Sequence, residues 1–256
     1  MRKYGQHFLI NTSVINAIVQ AVPATAADVV EIGPGQGALT ELLLQKNFAH
    51  FTAVEIDPQM QQYLQEHFPA LKEKIILENF LHFDLNLLPQ RPTFFVSNLP
   101  YIDAADILDK VLAWPYFDGA VFMFQKEQAQ RILAKAGAAY GPISILSQVR
   151  SVPKQLIKVG KACFNPPPKV ESMVLTFEKK ESLFENDAQY RSFARLVKAA
   201  FLHRRKTLFN SLCLCGYDKE KIAGALQNVR LKLTARAEEV SLEKFLELFD
   251  VLKPGF

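Results

Sequence analysis

The spacing of apolar residues changes along this chain. Val14, Ile15, Ile18 and Val19 recur at helical intervals. Asp28–Ile32 is a short β-branched run that stops at glycines, and residues 38–46 return to a helical pattern. Residues 51–55, 74–78, 93–97 and 118–124 read as further strands, and 125–136 as a helix. Asp57-Pro58 reads as an N-cap followed by proline at the first helical position. This alternation of strand and helix predicts a mostly parallel sheet covered by helices on both faces.

Residues 154–160 and 170–177 read as two more strands. Between them lies Phe164-Asn165-Pro166-Pro167-Pro168-Lys169. Prolines fix φ and remove backbone donors, so this stretch is expected as a stiff loop. Residues 178–187 are polar and charged, and a domain boundary is placed there. Beyond it the pattern is helical over 188–212, 219–227 and 241–252. The expected fold is therefore α/β, with a Rossmann-like sheet domain over residues 1–180 and a small all-α domain over 181–256.

With 256 residues, the chain has room for one large core and a small second one. Its 49% hydrophobic and 22% charged residues are ordinary for a globular protein and argue against disorder. No stretch approaches the roughly 20 apolar residues that span a bilayer. The opening Met1-Arg2-Lys3-Tyr4-Gly5 leads into no apolar core of leader length. Three cysteines argue against a disulfide scaffold and for a reducing compartment, so a cytoplasmic protein is expected. Cys213 and Cys215 lack a second pair at metal spacing; they are expected as buried small hydrophobes, and no metal is expected. A net charge of +4 is compatible with a nucleic-acid partner without demanding one.

The first candidate chemistry is Glu31-Ile32-Gly33-Pro34-Gly35-Gln36-Gly37, which follows a strand and opens a helix. Gly33 and Gly35 let the backbone turn sharply and approach a ligand. Glu55, ending the next strand, is placed to accept both hydroxyls of a ribose. Gly33, Gly35 and Ala38 also satisfy the dinucleotide pattern, so an NAD-dependent oxidoreductase stays open. Two details favour S-adenosylmethionine instead. A carboxylate, Glu31, precedes the glycines, and Pro34 stands where a pyrophosphate wants backbone donors.

The second is Asn98-Leu99-Pro100-Tyr101, directly after a strand. Ligands of open α/β sheets bind at the carboxyl ends of strands, so this tetrapeptide is expected to face the glycine turn. The lone pair of an adenine N6 amine is delocalised into the ring. The Asn98 side-chain oxygen and the Leu99 carbonyl are two acceptors for the N6 hydrogens. Holding them favours a tetrahedral nitrogen with its lone pair free for a methyl group, by positioning and electrostatics rather than by a strong base. Tyr101 is a stacking surface. The plainer alternative is a strand-end turn built from Asn and Pro.

The third is Phe164 on the proline loop, expected with Tyr101 to hold an unstacked base between two flat faces. On spacing alone, an ordinary core aromatic fits equally well. The fourth is a basic stretch. Arg191, Arg195, Lys198 and Arg205 share one face of a helical wheel, opposite Phe193, Leu196, Val197, Ala200 and Leu208. His203-Arg204-Arg205-Lys206 adds a cluster. A solvated charged face is the common meaning of such a stripe, but no acid interrupts residues 191–206, which suits a phosphate backbone.

Taken together, Gly5-Gln6-His7-Phe8-Leu9, Glu31 to Thr40, Asn98 to Tyr101, Gln125-Lys126-Glu127, Phe164 to Ser172, and Arg204-Arg205-Lys206-Thr207 with Asn210 resemble the KsgA/RsmA ribosomal RNA adenine dimethyltransferases, nearly end to end. The resemblance implies a Rossmann-like class I methyltransferase domain with S-adenosyl-L-methionine as cofactor, and a helical RNA-binding domain. It implies dimethylation of N6 on two adjacent adenosines in the 3′-terminal hairpin of small-subunit (16S) rRNA, within an immature 30S subunit and in ribosome biogenesis. A monomer is the default. By resemblance, the cofactor contacts are His7, Leu9, Gly33, Gly35, Glu55, Asn79 and Asn98. The target-base residues are Asn98, Leu99, Tyr101 and Phe164, and the RNA contacts are Arg195, Lys198, Arg204, Arg205 and Lys206.

Two positions depart from the family pattern. His7 stands where Asn is common, and Asn79 where an Asp accepts the cofactor's adenine amine; Asp84 is a nearby alternative carboxylate. Replacing that Asp by Asn79 is expected to cost about 1 kcal/mol of cofactor affinity. Rival readings are an antibiotic-resistance methyltransferase of large-subunit rRNA, which would share fold and cofactor, the NAD enzyme above, and a non-catalytic assembly checkpoint that can coexist with catalysis.

Overall fold

A computed structural model describes residues 7–46 and 48–252. The opening Met1-Arg2-Lys3-Tyr4-Gly5 and Gln6 of the amino-terminal motif thus lie outside the described residues. In chain order the elements are β1 (Phe8–Leu9), α1 (Thr12–Gln20), β2 (Asp28–Ile32), α2 (Thr40–Leu44), β3 (His50–Glu55), α3 (Pro58–His67), β4 (Ile75–Leu77), β5 (Thr93–Asn98), α4 (Ala104–Ala113) and β6 (Phe117–Gln125). They continue with α5 (Lys126–Leu133), α6 (Pro142–Arg150), β7 (Ser151–Val159), β8 (Phe164–Asn165), β9 (Ser172–Lys179), α7 (Asp187–Leu202), α8 (Leu208–Leu214), α9 (Lys219–Asn228) and α10 (Leu242–Leu252).

The expected α/β architecture is present. The seven-stranded sheet runs β4-β3-β2-β5-β6-β9-β7, and β1 forms a separate antiparallel pair with β8. β2 pairs in parallel with β3 and β5, and β9 runs antiparallel to both β6 and β7. Every residue of β2 is buried, as a central parallel strand covered on both faces requires. The predicted helix of Val14, Ile15, Ile18 and Val19 buries those four residues, and the Asn11 side chain caps it by accepting from Val14 N–H at 3.0 Å. Asp57 caps α3 and Pro58 opens it, also as expected.

Three differences have physical causes. Helix α2 starts at Thr40 rather than at residue 38, because the positive-φ turn at Gly37 occupies the chain just before it, and it ends at Leu44. Helices α4 and α6 are absent from the sequence expectation, although Ala104, Ile107, Leu108, Val111 and Leu112 form the buried stripe of α4 and Ile145, Leu146 and Val149 are buried in α6. The expected helix over 188–212 is two helices. His203 ends α7, and Thr207 starts α8 by accepting from Asn210 N–H at 3.2 Å. Arg204, Arg205 and Lys206 therefore sit on a turn rather than on a helix face.

The chain forms two compact units. Among the described residues, the first holds those up to Ala129 together with Ser151–Lys179; the second holds Gln130–Arg150 with those from Lys180 to Leu252. The core of the first gathers Val14, Ile18, Leu43, Phe94, Val96 and Met123 among others. In the second, Phe184 packs with Tyr190, Phe193 and Phe249, while Tyr140 meets Phe201 edge-on at 6.1 Å. Phe193, Leu196, Val197, Ala200 and Leu208 are buried, as the wheel predicts.

Candidate active site

Strand order reverses direction beside β2. The chain proceeds from β2 to β3 and β4 on one side, then crosses to β5 on the other. The carboxyl ends of β2 and β5 thus flank a crevice at the switch point. The Ser97 hydroxyl donates to the Ile32 carbonyl at 2.5 Å and ties the two strand ends together. Beyond Ile32, Gly33, Gly35 and Gly37 all take positive φ. A side chain at Gly37 would come within 2.4 Å of the Phe68 ring, whereas nothing lies within 4 Å of the equivalent position at Gly33. The turn is closed against protein at one end and open at the other.

Glu55 fixes this turn from the neighbouring strand. Its Oε2 accepts from Gly35 N–H at 3.0 Å, and its Oε1 from the N–H groups of Ile56 and Asp57, both at 2.9 Å. Oε2 keeps a lone pair for a ligand hydroxyl. Burial pushes the Glu55 carboxyl above its ordinary range, and these backbone donors oppose the shift. Glu31 is fully buried and accepts from the Thr40 hydroxyl at 2.7 Å. Burial pushes its pKa up to about 8, the Thr40 bond lowers it, and the Glu55 charge raises it further. Glu55, a buried carboxyl that only backbone N–H groups satisfy, fits a ligand carrying positive charge and a ribose.

Asn79 lies beside Glu55, because Glu78 N–H donates to the Glu55 carbonyl at 2.9 Å. Asn79 Oδ1 accepts from Leu81 N–H at 2.9 Å and retains one lone pair. The loop is pinned from α4. The Lys110 ammonium donates to the carbonyls of Phe80 at 2.7 Å, Leu81 at 3.0 Å and Phe83 at 2.5 Å. Sequence reading missed Lys110 because it missed the helix that carries it. Asp84 is engaged in its own turn, accepting from Asn86 N–H at 3.0 Å.

On the other side of the crevice, Asn98 Nδ2 donates to the His7 carbonyl at 3.2 Å. No described residue donates to its Oδ1, which is left as an acceptor. His7 Nδ1 bonds the Pro166 carbonyl at 2.8 Å, and the His7 ring lies nearly parallel to Tyr101 at 6.3 Å and 26°. Tyr101 shares a 2.6 Å hydrogen bond with the Ser172 hydroxyl, and burial raises its pKa. Leu9 pairs with Phe164 and Phe8 with Asn165, so the amino-terminal strand and the proline loop form one ribbon. Phe8 also lies 3.2 Å from the position a Gly35 side chain would take.

The structure therefore brings His7, Leu9, Gly35, Asn98, Tyr101 and Phe164 to one ribbon and its neighbouring turns, with Gly33, Glu55 and Asn79 along the adjacent strand ends. The Leu99 side chain is core, which leaves its carbonyl as the useful atom. Phe164 is 2% exposed and belongs to the core cluster with Leu9, Val96 and Val174. Its ring presents no open face, so the ordinary-core alternative describes it better than one side of a sandwich.

In the second unit, Arg191, Arg195, Lys198, Arg204, Arg205 and Lys206 are all exposed. Arg195 donates to the Ser192 hydroxyl at 2.8 Å. Arg204 is engaged internally, donating to the Ala138 carbonyl at 2.8 Å and lying 3.5 Å from Glu238. Cys213 and Cys215 are half-buried free thiols rather than fully buried ones. Among the described residues no group of three or more His, Cys, Asp or Glu is arranged to hold a metal, and no helix is long and apolar enough to cross a membrane.

Comparison with known proteins bears on this site. The family model described as ribosomal RNA adenine dimethylase matches residues 1–253. A ribosomal RNA small subunit methyltransferase A from Fusobacterium nucleatum is 33% identical over 257 residues, covering 98% of this chain and 97% of its own. Among solved structures, a dimethyladenosine transferase from Plasmodium falciparum has a TM-score of 0.80 at 24% identity, over 96% of this chain and 98% of that one. The 23S rRNA methyltransferase ErmE has a TM-score of 0.72 at 25% identity, over 96% and 99%.

Proposed function

Because the chain belongs to the ribosomal RNA adenine dimethylase family, we propose that it transfers methyl groups from S-adenosylmethionine to N6 of two adjacent adenosines in the 3′-terminal hairpin of small-subunit rRNA. Each adenosine would take two methyl groups. When bound, the cofactor supplies an electrophilic methyl group on a sulfonium. Glu55 Oε2 accepts a ribose hydroxyl, Asn79 its adenine amine, and the open side of Gly33 admits its chain. The Glu55 carboxylate, held by backbone N–H groups, favours its positive charge. Asn98 Oδ1 and the Leu99 carbonyl accept the two N6 hydrogens of the target and turn its lone pair outward. Tyr101 gives the base a flat face, and the buried Phe164 anchors the ribbon behind it. The second unit then holds the RNA through Arg195, Lys198, Arg205 and Lys206. A cytoplasmic monomer acting on immature 30S subunits completes the reading.

One observation carries this proposal: Asn98 Oδ1, an acceptor to which no described residue donates, lies at the end of the strand that Ser97 locks to the glycine turn. The test is mass spectrometry of small-subunit RNA from cells lacking the protein and cells regaining it. Dimethyladenosine should disappear and return with the parent chain. With Asn98→Ala it should fall at least about 100-fold in rate while the protein still binds immature subunits. Unchanged modification in the deleted cells would overturn the proposal. The likeness to ErmE favours a second reading, action on large-subunit RNA. Parallel assays on both RNAs separate the two, and the small-subunit names of the nearer relatives favour the first.

A further inference from the structure

Two helices of the second unit end in the same way. After α8, Gly216 N–H bonds the Cys213 carbonyl at 3.1 Å and Tyr217 N–H bonds the Leu212 carbonyl at 3.2 Å. After α9, Arg230 N–H bonds the Gln227 carbonyl at 3.0 Å and Leu231 N–H bonds the Leu226 carbonyl at 2.8 Å. Both are Schellman caps, whose key residue must adopt positive φ and is usually glycine. Gly216 meets that demand at φ 88. In the second cap the same place is held by an arginine at φ 59. A Cβ is strained in that region, so glycine would be the easier occupant. The strain has no internal return, because the exposed Arg230 side chain makes no hydrogen bond or ion pair with any described residue.

Its surroundings indicate what the side chain is for. Arg230 opens the loop Arg230-Leu231-Lys232-Leu233-Thr234-Ala235-Arg236, in which Arg230, Lys232 and Arg236 are all exposed. The Ala235 carbonyl accepts from Leu208 N–H at 2.8 Å, which joins this loop to the turn bearing Arg205 and Lys206. Neither segment, 203–208 or 229–236, contains an acid. The next carboxylates in sequence are committed elsewhere: Glu238 faces Arg204, and Glu239 accepts from Arg236 N–H at 2.7 Å. Unneutralised cations on two joined loops suit an array of phosphates better than a single anion.

We infer that the loop after α9 is a second RNA-backbone contact, acting with Arg205 and Lys206 as one phosphate-binding surface. This rests on the RNA-modifying reading above. The test uses the full chain and immature small subunits carrying unmethylated RNA. Binding is measured across salt concentrations for the parent, Arg230→Gly, Arg230→Lys and Arg230→Gly with Lys232→Ser. Arg230→Gly should melt no lower than the parent, because the cap prefers glycine, yet bind several-fold more weakly. The double variant should lose about tenfold in affinity, and its salt slope should fall by roughly one per phosphate contact removed. Arg230→Lys should retain most of the affinity. An unchanged dissociation constant and slope in the double variant would overturn the inference, and so would a lower melting temperature for Arg230→Gly. If the parent neither binds nor methylates the subunits, the proposed function itself falls; if the parent methylates and the loop variants bind normally, only this inference does.

Discussion

At the scale of single residues, the clearest consequence concerns Glu31. Its carboxyl has a pKa of about 8 in the fold, raised mainly by burial, against an ordinary value of 4.5. The folded chain therefore holds a proton that the unfolded chain releases above about pH 4.5. The associated stability is fully present below that pH and is lost as pH rises towards 8. Glu31→Gln removes the titration and can still accept from Thr40. In urea unfolding without cofactor, the variant should gain on the parent by up to about 1.4 kcal/mol per pH unit between pH 5 and 8, and no further above. Parallel stability curves would mean that Glu31 is ionised in the fold. Asn79 gives a second residue-scale prediction. Its Oδ1 already accepts from Leu81 N–H, so its amide offers one remaining acceptor position without charge. Asn79→Asp should tighten cofactor binding about fivefold by calorimetry, the equivalent of about 1 kcal/mol. Affinity that stays level or weakens would remove Asn79 from the site. Glu55, Asn98 and Tyr101 were legible in the sequence because each stands at a fixed offset from a strand end. Ser97, Thr40 and Ser172 were not, since a serine or threonine in a buried strand or helix gives no signal until its partner is known.

At the scale of elements, the glycine turn separates two kinds of glycine. Gly33 and Gly37 both need positive φ, so alanine at either strains the backbone by about 1–2 kcal/mol. At Gly37 the added methyl also meets Phe68 at 2.4 Å, and the total loss of stability should reach about 2–4 kcal/mol. At Gly33 it meets no protein atom. Gly33→Ala should therefore keep most of its stability and lose at least about tenfold in cofactor affinity, since the methyl fills the space a ligand needs. Denaturation and calorimetry on the two variants would show this crossed pattern, and equal loss of affinity with equal stability would contradict it. The elements themselves were readable where period and punctuation agree, as in β2, α1 and α3. They were misread where local signals mislead. The 188–212 pattern stays amphipathic through the break, because Leu208 falls on the same wheel face as Leu196 and Ala200. Only the Thr207 cap marks the new start. Helix α4 carried a full apolar stripe, and with it went Lys110, which pins the Asn79 loop.

At the scale of the whole molecule, the informative fact is that the helical unit is discontinuous in sequence. A reading by composition places a boundary at the polar stretch near residue 180, because linkers are local and visible. The contribution of residues 130–150 is a long-range property: Tyr140, Ile145, Leu146 and Val149 are apolar residues like any others until the tail that buries them is present. In the structure they belong to the second unit, with Tyr140 edge-on to Phe201, Lys180 N–H bonded to the Arg150 carbonyl at 2.9 Å, and the Arg150 guanidinium 4.0 Å from the Tyr190 ring. A chain cut after Lys179 therefore keeps every strand of the sheet but uncovers this apolar segment. It should bind a hydrophobic dye and aggregate during purification. A second version, cut at the same place and with residues 130–150 replaced by a flexible Gly/Ser linker, removes the uncovered surface along with its partner. That version should be monodisperse and bind S-adenosylmethionine near the parent affinity, because Glu31, Glu55, Asn79 and Asn98 all lie in the first unit. If the simple truncation behaves as well as the linker version, residues 130–150 do not depend on the tail, and the helical unit begins at residue 180 after all.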